Sequence, residues 1–234
     1  MSATFVRFSL RQRVEHALVM SLFIILAATG FPQKFSDAGW ARGMLALMGG
    51  VEAARWLHRF AGLAFALLAL VHIATAVALV TTGRSRPSMI PSRKDFADAI
   101  QTLRYYLGAS DRQAKFDRFD YRQKFEYWGL LMGGLLMVAT GLILYVPLVV
   151  TRFLPGVMIP VAKVAHSNEG LMAFLVVITW HIYNAHLNPD VFPFDFAIFT
   201  GKISRHRMES EHPLELDRLI GGAAPPRKDP ENDA

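Results

Sequence analysis

Four stretches of the chain are long and apolar enough to cross a lipid bilayer, and they limit the fold more than any other feature. A hydrocarbon core of about 30 Å takes roughly 20 mostly apolar residues in a helix. The stretches run from about Val14 to Gly30, Ala53 to Val80, Phe125 to Val150 and Pro160 to Leu187. Pro32, the Gly83 to Pro91 region, Pro147, Pro155 and Pro189 punctuate them, as helix-breaking residues should. At 53% hydrophobic and 19% charged, the chain is too apolar for ordinary soluble domains. The expected fold class is all-α, an integral membrane four-helix bundle. Three arginines ahead of the first stretch resemble a secretory signal, but no clear cleavage site follows Ala28, so a retained helix is expected.

A net charge of +6 would suit a nucleic-acid binder, and the positions of the charges argue against one. Three Lys and Arg precede Val14, ten lie between Thr81 and Lys124, and six follow Gly201. The opposite loops hold only Lys34, Arg42 and Arg55 on one side and Arg152 and Lys163 on the other. The positive-inside rule then puts both termini and the middle loop in the cytoplasm of a multi-pass protein of the bacterial inner membrane. Membrane lipid, not nucleic acid, is the partner this pattern implies.

Residues 1–201 are expected to form the membrane domain. Ser92 and Asp95 make a capping-box-like start, and Phe96, Ile100, Leu103 and Leu107 recur at helical spacing, predicting an amphipathic surface helix over about 92–108. The tail, 202–234, is polar, and its last dozen residues are expected to be disordered. His206 and His212 in it are expected to be solvated. No internal repeat and no Gly-rich phosphate loop is evident.

Zero cysteines exclude thiolate zinc, iron–sulfur ligation and covalent c-type haem. Histidines are the informative residues, because ionisable groups within spans are costly and usually functional. His58 and His72 are 14 residues apart, which is about 40° of rotation and about 21 Å of rise. His166 and His181 are 15 apart, about 60° and about 22 Å. The second and fourth spans run in the same direction, so His58 and His166 share an outer level and His72 and His181 an inner one. His16, at the start of the first span, is a rival partner for His181. Haem b needs only axial imidazoles from facing helices, and Ala61, Gly62, Ala66, Gly133, Gly134, Gly170 and Ala173 leave room for it. Two haem b groups across the bilayer are the expected cofactors. Metal transport or a non-haem site would want ligands that converge, and these divide into two levels.

Several segments resemble the membrane cytochrome b (gamma) subunits of respiratory formate dehydrogenases, within the wider bacterial and hydrogenase cytochrome b561 group. Arg13-Val14-Glu15-His16 resembles that family's opening, and Ala54-Arg55-Trp56-Leu57-His58-Arg59-Phe60-Ala61-Gly62 its second-span start. Arg118-Phe119-Asp120-Tyr121-Arg122-Gln123-Lys124 with Trp128, Thr140-Gly141, and Ile159-Pro160 through His166 to His181-Ile182-Tyr183 are similar to its third and fourth spans. The resemblance covers about residues 7–190. It implies an outer haem held by His58 and His166 and an inner one held by His16 and His181. His166 and His181 are one residue further apart here than in the formate dehydrogenase pattern, a difference a π-bulge absorbs. His72 is an extra histidine, and His72 with His181 would reproduce the spacing of the cytochrome b of bc complexes.

The resemblance also implies a quinone site, for menaquinone or ubiquinone, beside the inner haem near Asp120, Arg122 and Gln123. Arg55, Arg59 and Glu169 are candidates to meet haem propionates or to orient the outer ligand. His186 is expected to lie at an interface. The function so implied is electron transfer between a quinone pool on the cytoplasmic side and a periplasmic redox subunit, an iron–sulfur protein or a multihaem cytochrome, within a hetero-oligomer. A stand-alone b561-like quinone oxidoreductase and a haem-free membrane anchor are the alternatives.

Overall fold

The structure, a computed structural model, describes residues 4–189 and 191–221. In chain order its elements are β1 (Thr4–Val6), α1 (Leu10–Lys34), α2 (Gly39–Leu47), α3 (Val51–Thr81), α4 (Arg93–Tyr106), α5 (Tyr121–Tyr145), α6 (Pro147–Val150) and α7 (Met158–Val176). After α7 the helix continues through two π-turns, Val177–His181 and Tyr183–Leu187, followed by α8 (Ala197–Thr200), β2 (Lys202–Ser204), α9 (Arg205–Glu211) and α10 (Pro213–Gly221). These elements divide into two compact units, a membrane unit of residues 8–86 and 126–201 and a smaller unit built from the N-terminal segment, the middle loop and the tail.

The membrane unit carries the four spans, α1, α3, α5 and α7 with its π-turns. Serine 9 starts α1: its hydroxyl accepts from the Gln12 N–H, and the Gln12 side chain accepts from the Ser9 N–H, pairing donors a helix start leaves open. Pro32 does not end α1, which continues to Lys34. So near the C-terminus its missing N–H removes a single helical bond. Pro147 does divide the third apolar stretch, which stops at Tyr145 and restarts as α6, short of the expected Val150. The short helix α2 had no periodic signal of its own.

Small residues let the spans approach. A Cβ on Gly62 would meet Leu26 of α1 at 4.0 Å, one on Gly134 would meet Phe65 of α3 at 3.3 Å, and one on Gly170 would meet Met137 of α5 at 3.4 Å. Phe31 of α1 packs edge-on against Phe174 of α7 at 4.9 Å. Each span thus touches two others, in the order α1, α3, α5, α7 and back to α1, as membrane helices do when close packing replaces the hydrophobic drive. Outward residues such as Leu67, Leu70, Val77 and Ile178 are exposed to what must be lipid.

The first π-turn, Val177–His181, lies between His166 and His181, where the resemblance left one residue to absorb. With one residue absorbed, the effective step from His166 to His181 is about 14, which restores the roughly 40° offset of His58 and His72.

In the smaller unit β1 pairs antiparallel with β2, Phe5 opposite Ile203, and Ile203, Met208 and Leu216 form a core against Phe5. Residues 202–221 therefore do bury a core, contrary to the polar, solvated tail expected; the partners that complete it come from the chain's N-terminus, beyond reach of a local composition argument. The last dozen residues lie outside the described residues. Glu215, 6% exposed, takes Arg7 Nη1 at 3.0 Å and Arg118 Nη1 at 2.7 Å. Burial pulls the Arg7 guanidinium down to about 10, leaving it charged at neutral pH. His212 is also buried, against the expectation, and its Nδ1 donates to the Asp117 carbonyl at 2.9 Å. The loop helix α4 begins as read, with the Asp95 carboxylate accepting from Ser92, and Lys124 reaches Asp95 at 2.8 Å. Burial opposes ionisation of Asp95, and the bonds from Lys124 and Ser92 outweigh it, holding the carboxyl below its usual value.

Two predictions follow from this unit. Glu215→Ala removes the carboxylate from the buried Arg7 guanidinium and from the half-buried Arg118, which should cost about 3–5 kcal/mol and make the tail sensitive to trypsin under conditions where the parent resists. Burial and the Arg7 charge push His212 from 6.5 down to about 4. The neutral ring is the folded form, so this contribution to stability is complete above pH 6.5 and is lost as pH falls toward 4. Hydrogen-exchange protection of α9 and α10 should fall over that range, and fall less in His212→Gln.

Candidate cofactor site in the bundle

The expected outer pair is brought together. The rings of His58 on α3 and His166 on α7 face each other with centroids 6.2 Å apart. Both are held the same way from behind. Thr29 Oγ1 of α1 lies 2.8 Å from His58 Nδ1, and Thr140 Oγ1 of α5 lies 3.0 Å from His166 Nδ1. The glycine after each threonine makes the approach feasible: a Cβ would fall 3.1 Å from His58 Cε1 at Gly30 and 3.2 Å from His166 Cε1 at Gly141.

At the other level His16 on α1 faces His181, centroids 6.1 Å apart. Glu126 Oε1 of α5 is 2.5 Å from His181 Nδ1. His72 is engaged at both nitrogens, by Glu15 Oε2 at 3.0 Å and by the Tyr127 hydroxyl at 2.9 Å. Among the described residues the ring found facing His181 is that of His16.

The donor set fits haem b. A metal ion holds an imidazole nitrogen at about 2 Å, and the ring centre lies roughly 1 Å behind it, so two imidazoles on opposite sides of one ion have centroids roughly 6 Å apart. Both pairs meet that distance. With Nδ1 of His58, His166 and His181 turned to a threonine or a carboxylate, Nε2 is left to coordinate, and the partner fixes the ring's tautomer and tilt. Among the described residues no group of three or more His, Cys, Asp or Glu converges as a non-haem metal site would require.

The remaining candidates are dispersed. Glu169 leans on α5, its Oε1 only 2.5 Å from where a Cβ at Gly133 would stand. Arg59 lies over the Tyr145 ring, and Arg55 pairs with Glu52. Lys34, not singled out from sequence, contacts Asn168 at 2.8 Å and Ser167 at 3.2 Å, beside His166. In the smaller unit Asp120 caps α5: Oδ1 accepts from the Gln123 N–H, Oδ2 takes Arg122 at 2.7 Å, and Gln123 Oε1 accepts from the Asp120 N–H. His186 stacks on Phe194 at 3.9 Å within the chain.

Sequence reasoning missed the partners Thr29, Glu15, Glu126 and Tyr127, and with them a degenerate repeat. Glu15 and Thr29 stand 14 residues apart on α1, and Glu126 and Thr140 stand 14 apart on α5. Each threonine sits in an Ala-Thr-Gly triplet, 28–30 and 139–141. Each of these helices hands its glutamate and threonine to two histidines of the next span, α3 or α7. The shared Ala-Thr-Gly was the available signal.

Facing imidazoles inside an all-α membrane bundle define a membrane cytochrome b. Residues 7–191 match the family described as prokaryotic cytochrome b561, and the chain belongs to that family. It is similar to the formate dehydrogenase cytochrome b556(fdo) subunit of Escherichia coli strain K12, 26% identical over 185 residues, covering 78% of this chain and 79% of that one. It is also similar to the nitrate-inducible formate dehydrogenase cytochrome b556(Fdn) subunit of the same strain, 22% identical over 212 residues, covering 91% and 90%. The formate dehydrogenase cytochrome b556 subunit of Haemophilus influenzae is 25% identical over 180 residues, covering 74% and 67%. A multi-pass haem b protein with an electron-transfer role is thereby established.

Gly30→Val and Gly141→Val should each push an imidazole off its threonine. The expected result is a weaker b-type absorbance per chain at unchanged helix content, read by visible and far-ultraviolet spectra of the same sample.

Proposed function

We propose that the chain is a dihaem cytochrome b subunit that carries electrons between a quinone pool at the cytoplasmic face and a redox partner at the periplasmic face. His58 with His166 would hold the outer haem b, and His16 with His181 the inner one. The observation that carries this reading is the pair of facing imidazole sets at two heights, each at the separation a bis-histidine iron requires. When bound, haem b supplies reversible one-electron chemistry at each level.

The chain's own residues do the rest. Thr29 and Thr140 orient the outer ligands, and Glu126 orients His181. Lys34, Arg55 and Arg59 would face outer propionates, with Glu169 near His166 one helical turn on. The basic residues concentrated before α1, in the middle loop and after α8 support cytoplasmic termini. The apolar stripe of α4, Phe96, Ile100, Leu103 and Leu107, is exposed and suits a lipid surface. The quinone head group would approach near the start of α5, with Asp120, Arg122 and Gln123 shaping that segment. Relatives named as formate dehydrogenase subunits support a hetero-oligomer; its redox partner would be an iron–sulfur protein or a multihaem cytochrome.

Reduced-minus-oxidised spectra of the purified chain test the reading. Two b-type haems per chain are expected, with His58→Ala or His16→Ala each removing one and His72→Ala removing none. Thr29→Val should weaken outer haem retention by about 10–100-fold. A chain that binds no haem would sink the proposal.

A further inference from the structure

The repeat makes the inner level informative, because there its two halves differ. Glu15 corresponds to Glu126, so the residue after each, His16 and Tyr127, also correspond. His72 corresponds to His181. One half therefore presents His16 facing His181, and the other presents Tyr127 facing His72, at the same height in the bilayer. Ring separations are alike, 6.1 Å and 5.8 Å. The chemistry is not: the Tyr127 oxygen is 2.9 Å from His72 Nε2, a hydrogen bond, whereas two ligands across an iron need about 4 Å.

We propose that Tyr127 and His72, with Glu15 orienting the imidazole, form a proton relay for a quinone or hydroquinone head group, placed by the repeat at the level of the His16–His181 pair. The proposal rests on the quinone reading above. Its geometry is that of an oriented base. Glu15, an acceptor when ionised, is held by Arg11 Nη1 at 2.6 Å and faces His72 Nδ1, which fixes the proton on that nitrogen. Nε2 is then the acceptor, and the Tyr127 O–H donates to it. The same Arg11 nitrogen reaches Thr75 of α3 at 3.0 Å, tying α1 to α3 beside the relay. Among the described residues His72 is met by Glu15 of α1 and Tyr127 of α5, with Arg11 behind Glu15, while neighbouring Glu126 is turned to His181. His72 stays 32% exposed at its side chain, so the relay is open to an incoming head group.

Oxidation of a hydroquinone breaks two O–H bonds and releases two electrons and two protons. Each proton passes to the Tyr127 oxygen as that hydroxyl's own proton moves to His72 Nε2. The imidazolium so formed faces the Glu15 carboxylate, and its proton returns to water before the next transfer. Haem b, where His16 and His181 would hold it, would supply the one-electron acceptor for each electron. Reduction of a quinone runs the same transfers in reverse.

His72→Gln and Tyr127→Phe in the full chain test this, with a decyl-substituted benzohydroquinone and a short-chain naphthohydroquinone as probes. Both variants should keep the parent's haem spectrum. The rate of hydroquinone-driven haem reduction should fall by about 10²-fold or more with KM within about two-fold, and its dependence on pH should flatten. A second readout needs no turnover: infrared difference spectra of protein equilibrated with the quinone and with the hydroquinone should show imidazole and phenol bands in the parent that both variants lose. Loss of one haem in His72→Gln overturns the proposal by making His72 a ligand, and parent-like rates, pH profile and infrared bands overturn it as well. Should His72→Gln fail to fold, Tyr127→Phe, which deletes one oxygen, decides the matter alone. If the haem-loaded parent accepts no electrons from either hydroquinone, the quinone reading falls first and the relay with it; slow variants beside a competent parent uphold both.

Discussion

An imidazole within a bilayer has two polar nitrogens and no water to satisfy them, and the architecture of the bundle follows from that constraint. Each ring of the two facing pairs meets another ring on one side, and His58, His166 and His181 turn the other nitrogen to a threonine or a carboxylate of an adjacent helix. Those bonds demand close helix approach, which is why Gly30 and Gly141 stand where any side chain would press on an imidazole. The glycines that elsewhere would weaken a helix are here a condition of satisfying the histidines.

Much of this was legible in the sequence because membrane helices are long, regular and few. Span positions follow from apolar run length, and pairing by height follows from residue separation at a fixed rise, so His58 with His166 needed no tertiary information. Even the π-turn before His181 was implied by one surplus residue. The choice between His16 and His72 was not legible from spacing, since both lie at the inner level. It depends on what occupies His72 Nε2, and Tyr127 reads as an ordinary interfacial aromatic until α5 is set against α3.

The smaller unit was misread for the opposite reason. Its core joins Phe5 to Ile203, Met208 and Leu216, and the buried Glu215 joins Arg7 to Arg118, so the contacts that complete it come from segments about 100 to 200 residues away. Local composition of residues 202–221 reports only polarity. A buried carboxylate shared by two arginines is invisible to any window, and it ties the polar segment to the N-terminus and the middle loop with a geometry that is costly to break.

The repeat gives these observations a common cause. A helix pair in which the first member offers Glu and Thr-Gly to two histidines of the second satisfies four polar groups, and the chain uses that unit twice. At the outer level both copies keep the histidine, and His58 meets His166 symmetrically. At the inner level His72 and His181 cannot both be served alike, because each is approached by the residue after a glutamate, and that residue differs. A histidine there would leave the opposing ring a ligand, and a tyrosine would make it a base with a donor already in place. On the proposed reading, one substitution between two copies of the same unit would put an electron site and a proton site at one depth, which is the juxtaposition that two-electron, two-proton quinone chemistry requires of a carrier that moves electrons singly.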